Sequence, residues 1–468
     1  MTNRPAQLLV NAWTGLSSPV MAAPINNKWR MPEQSRTRAQ IEGRSLAPIT
    51  LEDPRNWRSE QIGWGLVLPD NSALDPVVKA RGDDAPEPLR TLLKDRGNAP
   101  VLRWSPKLRE GHLLRYYSDG GEQSLPAAAA DFGVGTGKIP RYLLIYGQPS
   151  EIPWSVQYSL NLSCYVGRLT LIGDALERYV TALRSDWRDG IADRAQAVIW
   201  NTDLRPDDIT WLMKHAIGEA LVKRLDEDGE IFSKWLSGRD ATVLELANAL
   251  TAKPGLVCTT SHGMTGPLDD AEELRAVLGS PVDQNGALVT AAGLNWAPGG
   301  AIWYSHACCS AGSDTRSRYS GLISDQDEVG ATLQGVAAAA GARVAPLPEA
   351  LLGDTSPLRA FVGHVEPTFN WTLRDPISNA VLSHTIVGCL YNRLYQADRP
   401  SPIGWALADT FSESARFYAE YLASTLGGSD PVEPTDPLYQ QLVAVDRQSL
   451  VVLGDPTVTL PMPTGRTA

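Results

Sequence analysis

The sequence predicts an α/β protein with a mainly parallel sheet flanked by helices, preceded by a loop-rich β module. Three observations carry that expectation. From Tyr142 onward, short apolar runs alternate with longer amphipathic stretches, the rhythm of β-α units that stack strands in parallel. Two of these runs, Leu256 to Thr260 and Ala301 to His306, follow a glycine and open into polar loops, as buried strands do at the rim of such a sheet. Before Gly137 the texture differs: proline, arginine, asparagine and tryptophan are frequent and the apolar runs are short, which suits a β module dominated by turns. The expected division is an N-terminal module, 1–137, and a main domain, 138–468.

Taken in order, Val101 to Trp104 and His112 to Tyr117 read as strands of the N-terminal module. In the main domain Tyr142 to Tyr146 and Ala197 to Trp200 read as buried strands, and Asp174 to Trp187 and Pro206 to Leu225 as helices. After the two strands that end in polar loops, Val329 to Ala340 reads as an alanine-rich helix and Leu358 to Gly363 as a strand. Ser378 to Tyr395 and Ile403 to Leu426 have the apolar spacing of long helices. Gly427 to Pro437 reads as a surface linker and Leu450 to Leu453 as a last strand.

With 42 basic and 53 acidic side chains the 468-residue chain carries a formal charge of −11, which disfavours nucleic acid and anionic lipid in the absence of a concentrated basic patch. No apolar run approaches the ~20 residues of a membrane span, and the opening residues lack the apolar segment of a secretory signal. Five scattered cysteines, an odd number in a chain long enough to build its own core, point to reduced thiols and a cytoplasmic setting.

The chemistry-bearing residues sit at the two strand exits. One strand runs into Ser261, His262 and Gly263; the other runs into Ala307, Cys308, Cys309 and Ser310. If the strands are neighbours, an imidazole and a thiol share one rim. A cysteine nucleophile acts as thiolate, and an adjacent imidazole can take its proton and later protonate the leaving amine. Gly263, without a Cβ, can bring its N–H close to a substrate carbonyl, and the N–H of Cys308 would be the second oxyanion donor. Against this stands the habit of free cysteine to serve as a small buried hydrophobe. The 46-position separation of His262 and Cys308 nevertheless matches the spacing of about 50 between the caspase histidine and its nucleophile.

Three segments resemble the caspase-like cysteine peptidase superfamily, which includes caspases, legumain, separase, gingipains and CHAT domains. They are the strand ending in His262-Gly263, the strand ending in Ala307-Cys308-Cys309-Ser310-Ala311, and the run Leu453-Gly454-Asp455-Pro456-Thr457-Val458-Thr459-Leu460 near the end, which is similar to the Gly-Asp-Pro-Thr segment closing many gingipain-type and CHAT domains. The resemblance covers roughly Tyr142 to Pro461. It implies a caspase-hemoglobinase fold, cleavage of a protein substrate by a Cys-His dyad, and no metal or other cofactor in the chemistry. It also suggests a bacterial regulatory, defence or cell-death role; because an intracellular protease needs restraint, control by a regulatory protein partner or by the N-terminal module is expected on general grounds. Relatives often carry an acidic residue after the nucleophile where this chain has Cys309, so either thiol can be the attacking one; Cys308 is preferred because it follows Ala307.

Two other readings compete. Cys258, His262, His306, Cys308 and Cys309 could make a zinc site from thiolates and imidazoles, and the chain could be a catalytically inactive scaffold of the same fold that binds a partner. Acidic residues near strand exits, Glu151, Asp203, Asp269 and Asp270, are candidates for a pocket that would select Arg or Lys through charge-assisted pairing. Gly133 to Lys138 looks like a phosphate loop, but Ile139 replaces the required Ser/Thr and Pro140 leads toward a strand. Ser313 to Gln326 reads as a mobile loop after the nucleophile, and His364 ends a strand that can reach the rim.

Overall fold

The computed structural model describes residues 7–15, 22–24, 52–109, 111–128, 131–188, 190–375, 378–395, 399–426 and 435–461. Its centre is a twelve-stranded sheet, whose strands we number β1 (Trp64–Pro69), β2 (Val101–Trp104), β3 (His112–Tyr116), β4 (Glu122–Pro126), β5 (Tyr142–Tyr146), β6 (Tyr165–Leu169), β7 (Asp193–Asn201), β8 (Phe232–Ser237), β9 (Pro254–Thr260), β10 (Ile302–His306), β11 (Ala360–His364) and β12 (Leu450–Gly454). The order across the sheet is β8-β7-β9-β10-β11-β12-β6-β5-β1-β2-β3-β4. From β8 to β11 every neighbour is parallel; β12 runs antiparallel to β11 and parallel to β6. Parallel pairing then continues through β5 and β1 to β2, and β3 and β4 finish the sheet as an antiparallel meander.

The central strands are apolar on both faces because helices cover both. Every residue of β6, β9, β10, β11 and β12 is buried, which is why these segments read as continuous apolar runs rather than alternating ones. The mainly parallel α/β architecture expected from the sequence is the one observed.

Strands β1 to β4, all within 1–137, extend the same sheet, and Trp64, Leu66 and Leu68 share a core cluster with Leu144 and Val452. A parallel β1-β2 pair needs a crossover, supplied by two short helices, Pro76–Arg81 and Glu87–Asp95, that the turn-rich reading passed over. The Gly133 to Lys138 run is a structural turn: Arg115 donates to the carbonyls of Val134, Gly135 and Lys138.

Two of the expected helices each contain a π segment. The stretch expected as one helix from Pro206 begins at Ile209, where Asp208 caps it, and passes through a π segment, Lys214–Glu219, into Ala220–Asp228. The stretch expected as a helix from Ser378 contains only His384–Gly388 and a π turn, Cys389–Arg393. Residues 427–434 of the expected linker lie outside the described residues, and helix Thr435–Ser449 begins within its last positions.

Candidate active site

Strands β7, β9 and β10 lie side by side in register, with Asn201 opposite Thr260 and Thr260 opposite His306. The condition left open by the sequence, adjacency of the two strands that end in His262 and Cys308, is therefore met. Their exits also touch: a Cβ placed on Gly263 would stand 2.0 Å from the Cys308 carbonyl oxygen and 2.7 Å from its nitrogen. Only glycine permits that approach.

The exit of β7 contributes a residue that the sequence reading did not single out. Asp208 caps the helix Ile209–Met213 through Oδ1, which accepts from Thr210 N at 2.8 Å and Thr210 Oγ1 at 2.6 Å. Its other oxygen lies 3.0 Å from His262 Nε2. Both side chains are buried. Burial alone would raise the Asp208 carboxyl, but the hydrogen bond and charge of His262, with the two bonds from Thr210, outweigh it and hold the group down to about 2. The carboxylate orients the ring and leaves Nδ1, which has no hydrogen-bond partner, as the nitrogen open to a proton. A sequence cue existed: a second parallel-strand exit just upstream, closed by an Asp in helix-capping position. It was indistinguishable from an ordinary cap.

Cys308 and Cys309 face opposite ways. Cys308 packs in a cluster with Leu8, Val10, Ala12, Tyr319 and Phe369, whereas Cys309 packs with Leu274, Leu278, Val336 and Ala340. The turn depends on Cys309 adopting a left-handed backbone, φ 54°, a conformation disfavoured for a residue with a side chain and often kept at functional turns. Ser310 ties it down, its Oγ donating to Ser305 O at 3.1 Å and accepting from His364 N at 3.0 Å. The Cys308 sulfur receives Thr368 N–H at 3.4 Å. Burial pushes this thiol up, against the bond from Thr368, and the thiol is fully covered.

The cover has two parts. Tyr319, Leu322 and Ile323, from the Ser313 to Gln326 loop, join the Cys308 cluster, and Tyr319 packs edge-on against Phe369 with ring centroids 4.8 Å apart. The loop is anchored by Glu366, whose carboxylate accepts from Ser317 Oγ at 2.7 Å and Arg318 N at 2.8 Å. Burial raises Glu366 to about 7, against those two bonds. The second part is the segment Gln7–Gly15, whose Trp13 ring stands 5.6 Å from the His262 ring.

The acidic residues read as pocket candidates are scattered. Glu151 is exposed and accepts from Gln148 N. Asp203 is paired with Lys214 at 2.7 Å. Asp269 is exposed, and Asp270 caps the helix Ala271–Val277. His364 reaches the end of β11 as a buried ring packed edge-on to His306, centroids 4.8 Å apart, and burial lowers it to about 3. Cys258 lies within β9, its thiol pushed up to about 12 by burial. Among the described residues no group of three or more His, Cys, Asp or Glu side chains is placed to hold a metal ion, so the five residues considered for zinc do not converge on one point.

No protein-family model matches the chain, and no curated protein matches it. Solved structures do. One is a structure described as a protease, with 12% identity and a TM-score of 0.40, covering 87% of this chain and 80% of that one. The complex of Porphyromonas gingivalis RgpB pro- and mature domains follows at 10% identity, TM-score 0.35, covering 85% and 79%. The Arg-specific cysteine proteinase gingipain R (RgpB) gives 11% identity, TM-score 0.33, covering 86% and 79%.

Proposed function

We propose that the chain is a cysteine endopeptidase of the caspase-like kind, in which Cys308 attacks a peptide carbonyl, His262 carries the proton and Asp208 positions His262. The observation that carries this reading is the convergence of three adjacent parallel strand exits, which bring Asp208 to 3.0 Å from His262 and the backbone of Gly263 against that of Cys308. The imidazole takes the thiol proton, the thiolate adds to the carbonyl, and the N–H groups of Gly263 and Cys308 steady the oxyanion. The protonated His262 then gives its proton to the leaving amine, and water hydrolyses the thioester. Cys308 is preferred to Cys309 because it shares its cluster with the residues covering the rim, while Cys309 turns into a separate core.

All five cysteines are free, which supports action on a protein substrate in the reducing cytoplasm. The covered thiol supports a restrained enzyme, of the sort a regulatory or cell-death pathway holds in reserve. The same burial favours a second reading, an inactive scaffold whose Cys308 is simply core. Cleavage of a positional-scanning peptide library by the wild type, Cys308→Ala, Cys309→Ala and His262→Ala separates the two. The peptidase reading expects cleavage that survives Cys309→Ala and is abolished by the other two substitutions; cleavage indifferent to Cys308 would refute it.

A further inference from the structure

The segment that covers the rim is paired as an extended peptide on both sides and changes partner halfway. Upstream, Leu9 N donates to Asn370 Oδ1 at 3.2 Å, Val10 bridges Phe369 in antiparallel fashion, and Asn11 N donates to Thr368 O at 2.9 Å. Downstream, Ala12 and Trp13 pair in parallel with Gly263 and Met264, and Thr265 N donates to Trp13 O at 2.8 Å. The change falls on the Asn11–Ala12 peptide bond. Cys308 sits between the two partners at that place, its sulfur receiving Thr368 N–H and its backbone packed against Gly263.

The register decides where the Asn11 carbonyl points. Met264 N is committed to Ser280 O at 3.0 Å, so the ladder toward the segment runs through the N–H groups of Gly263 and Thr265, which alternate along a parallel strand. With Gly263 opposite Ala12 in the parallel register, the Asn11 carbonyl is the next in line, one ladder step before Trp13 O. The register thus lays a peptide carbonyl on the side of Gly263, the residue proposed to donate to the oxyanion.

The Asn11 side chain is fully buried. Its Nδ2 donates to Ser261 O at 2.9 Å, Thr368 Oγ1 at 3.3 Å and Met213 Sδ at 3.4 Å, and its Oδ1 has no partner. These contacts are neutral acceptors. A carboxamide supplies them with N–H donors; a carboxylate would set acceptor against acceptor, and a long cation would be buried without a carboxylate opposite.

We propose that this rim is an extended-peptide site that selects asparagine at the residue whose carbonyl meets Cys308, and that Leu8 to Trp13 occupies it as a tethered, substrate-like plug. The proposal deepens the peptidase reading and rests on it for the identity of the nucleophile. Main-chain pairing from two strands supplies general affinity, and the side-chain subsite supplies selection, the division seen in strand-addition modes of peptide recognition.

The test is the rate at which iodoacetamide labels Cys308 in the full chain, read by peptide mass spectrometry, for the wild type, Asn11→Ala and Leu8→Asp, with thermal melting to confirm folding. Both variants should label at least ~10-fold faster, since one leaves buried acceptors unpaired and the other puts a charge in the covering cluster. In the Leu8→Asp protein the free peptide Leu-Leu-Val-Asn-Ala-Trp should slow labelling, and the same peptide with Asp or Arg at the fourth position should not. Unchanged labelling in both folded variants would overturn the plug, and equal protection by the three peptides would overturn the asparagine subsite. Labelling needs no turnover: protection by the Asn peptide with no hydrolysis of it would sink the peptidase reading while leaving the peptide site intact.

Discussion

At the scale of single residues, the site depends on one carboxylate that must stay ionised and another that resists ionisation. Asp208 holds His262 by its Nε2, so Asp208→Asn should leave the fold intact and lower kcat by roughly 10²–10⁴-fold, by losing the charge and the ring orientation that general-base transfer needs. Steady-state kinetics should show the loss in kcat more than in KM. The Asp208 contribution to stability is present above its ordinary value of 3.8 and lost as pH falls toward about 2. Glu366 has the opposite sign. Its folded-state value, about 7, lies above the ordinary 4.5, so the folded state holds the proton more tightly and this stability is full below pH 4.5 and lost as pH rises through 7. The shift corresponds to about 3 kcal/mol at most. Glu366→Gln should flatten the decline in Tm between pH 5 and 8; an unchanged decline would assign it to other groups. His262 and Cys308 could be singled out in the sequence because each stands just beyond a segment that reads as a buried strand. Asp208 was not, because it lies 54 positions from His262 and also serves as a helix cap.

At the scale of elements, the rim is held by a buried ionic post behind it. Arg447, on the helix Thr435–Ser449, pairs with Glu413 at 2.8 Å and with Asp446, and donates to the carbonyls of Thr372 at 2.8 Å and Leu382 at 3.4 Å. It thereby fixes the segment 368–372 on which Thr368 and Asn370 are displayed. Arg447→Ala leaves the buried Asp446 without its cation and Glu413 with only Arg416 at 3.8 Å, and should cost about 3–5 kcal/mol, read as a fall in Tm. A change within experimental error would remove Arg447 from this role. This helix falls partly where glycine, proline and aspartate suggested a linker, a local signal that tertiary burial of Leu438, Leu442 and Val443 overrides. The strands fared better: β5, β9, β10, β11 and β12 were recognisable because burial on both faces demands unbroken apolar runs. The helix expected over Pro206 to Leu225 matches in extent, shifted to 209–228 and carrying a π segment, whereas the one expected from Ser378 is shorter at its start, since it begins only at His384.

At the scale of the molecule, the two expected units are joined at the far side of the sheet from the rim strands. Asp455, in the Gly-Asp-Pro-Thr run, accepts from Trp64 Nε1 at 3.0 Å, Arg96 Nη1 at 3.2 Å and Thr457 N at 2.9 Å. The motif that contributed to the family resemblance thus works here as a clasp between β1 and the end of β12. No sequence signal placed Leu8 to Trp13 across the rim, because the pairing of Ala12 and Trp13 with Gly263 and Met264 is so distant in sequence that it leaves no local periodicity. That crossing makes the resting chain a covered site, and tests of its chemistry belong in a protein whose cover has been loosened. The most direct is the intact mass and site of modification after Leu8→Asp protein meets a peptidyl chloromethyl ketone ending in asparagine, beside the same protein carrying His262→Ala. The account predicts one adduct, on Cys308, formed in the first protein and strongly slowed in the second; an adduct on Cys309, or one formed on Cys308 at the same rate without His262, would contradict it.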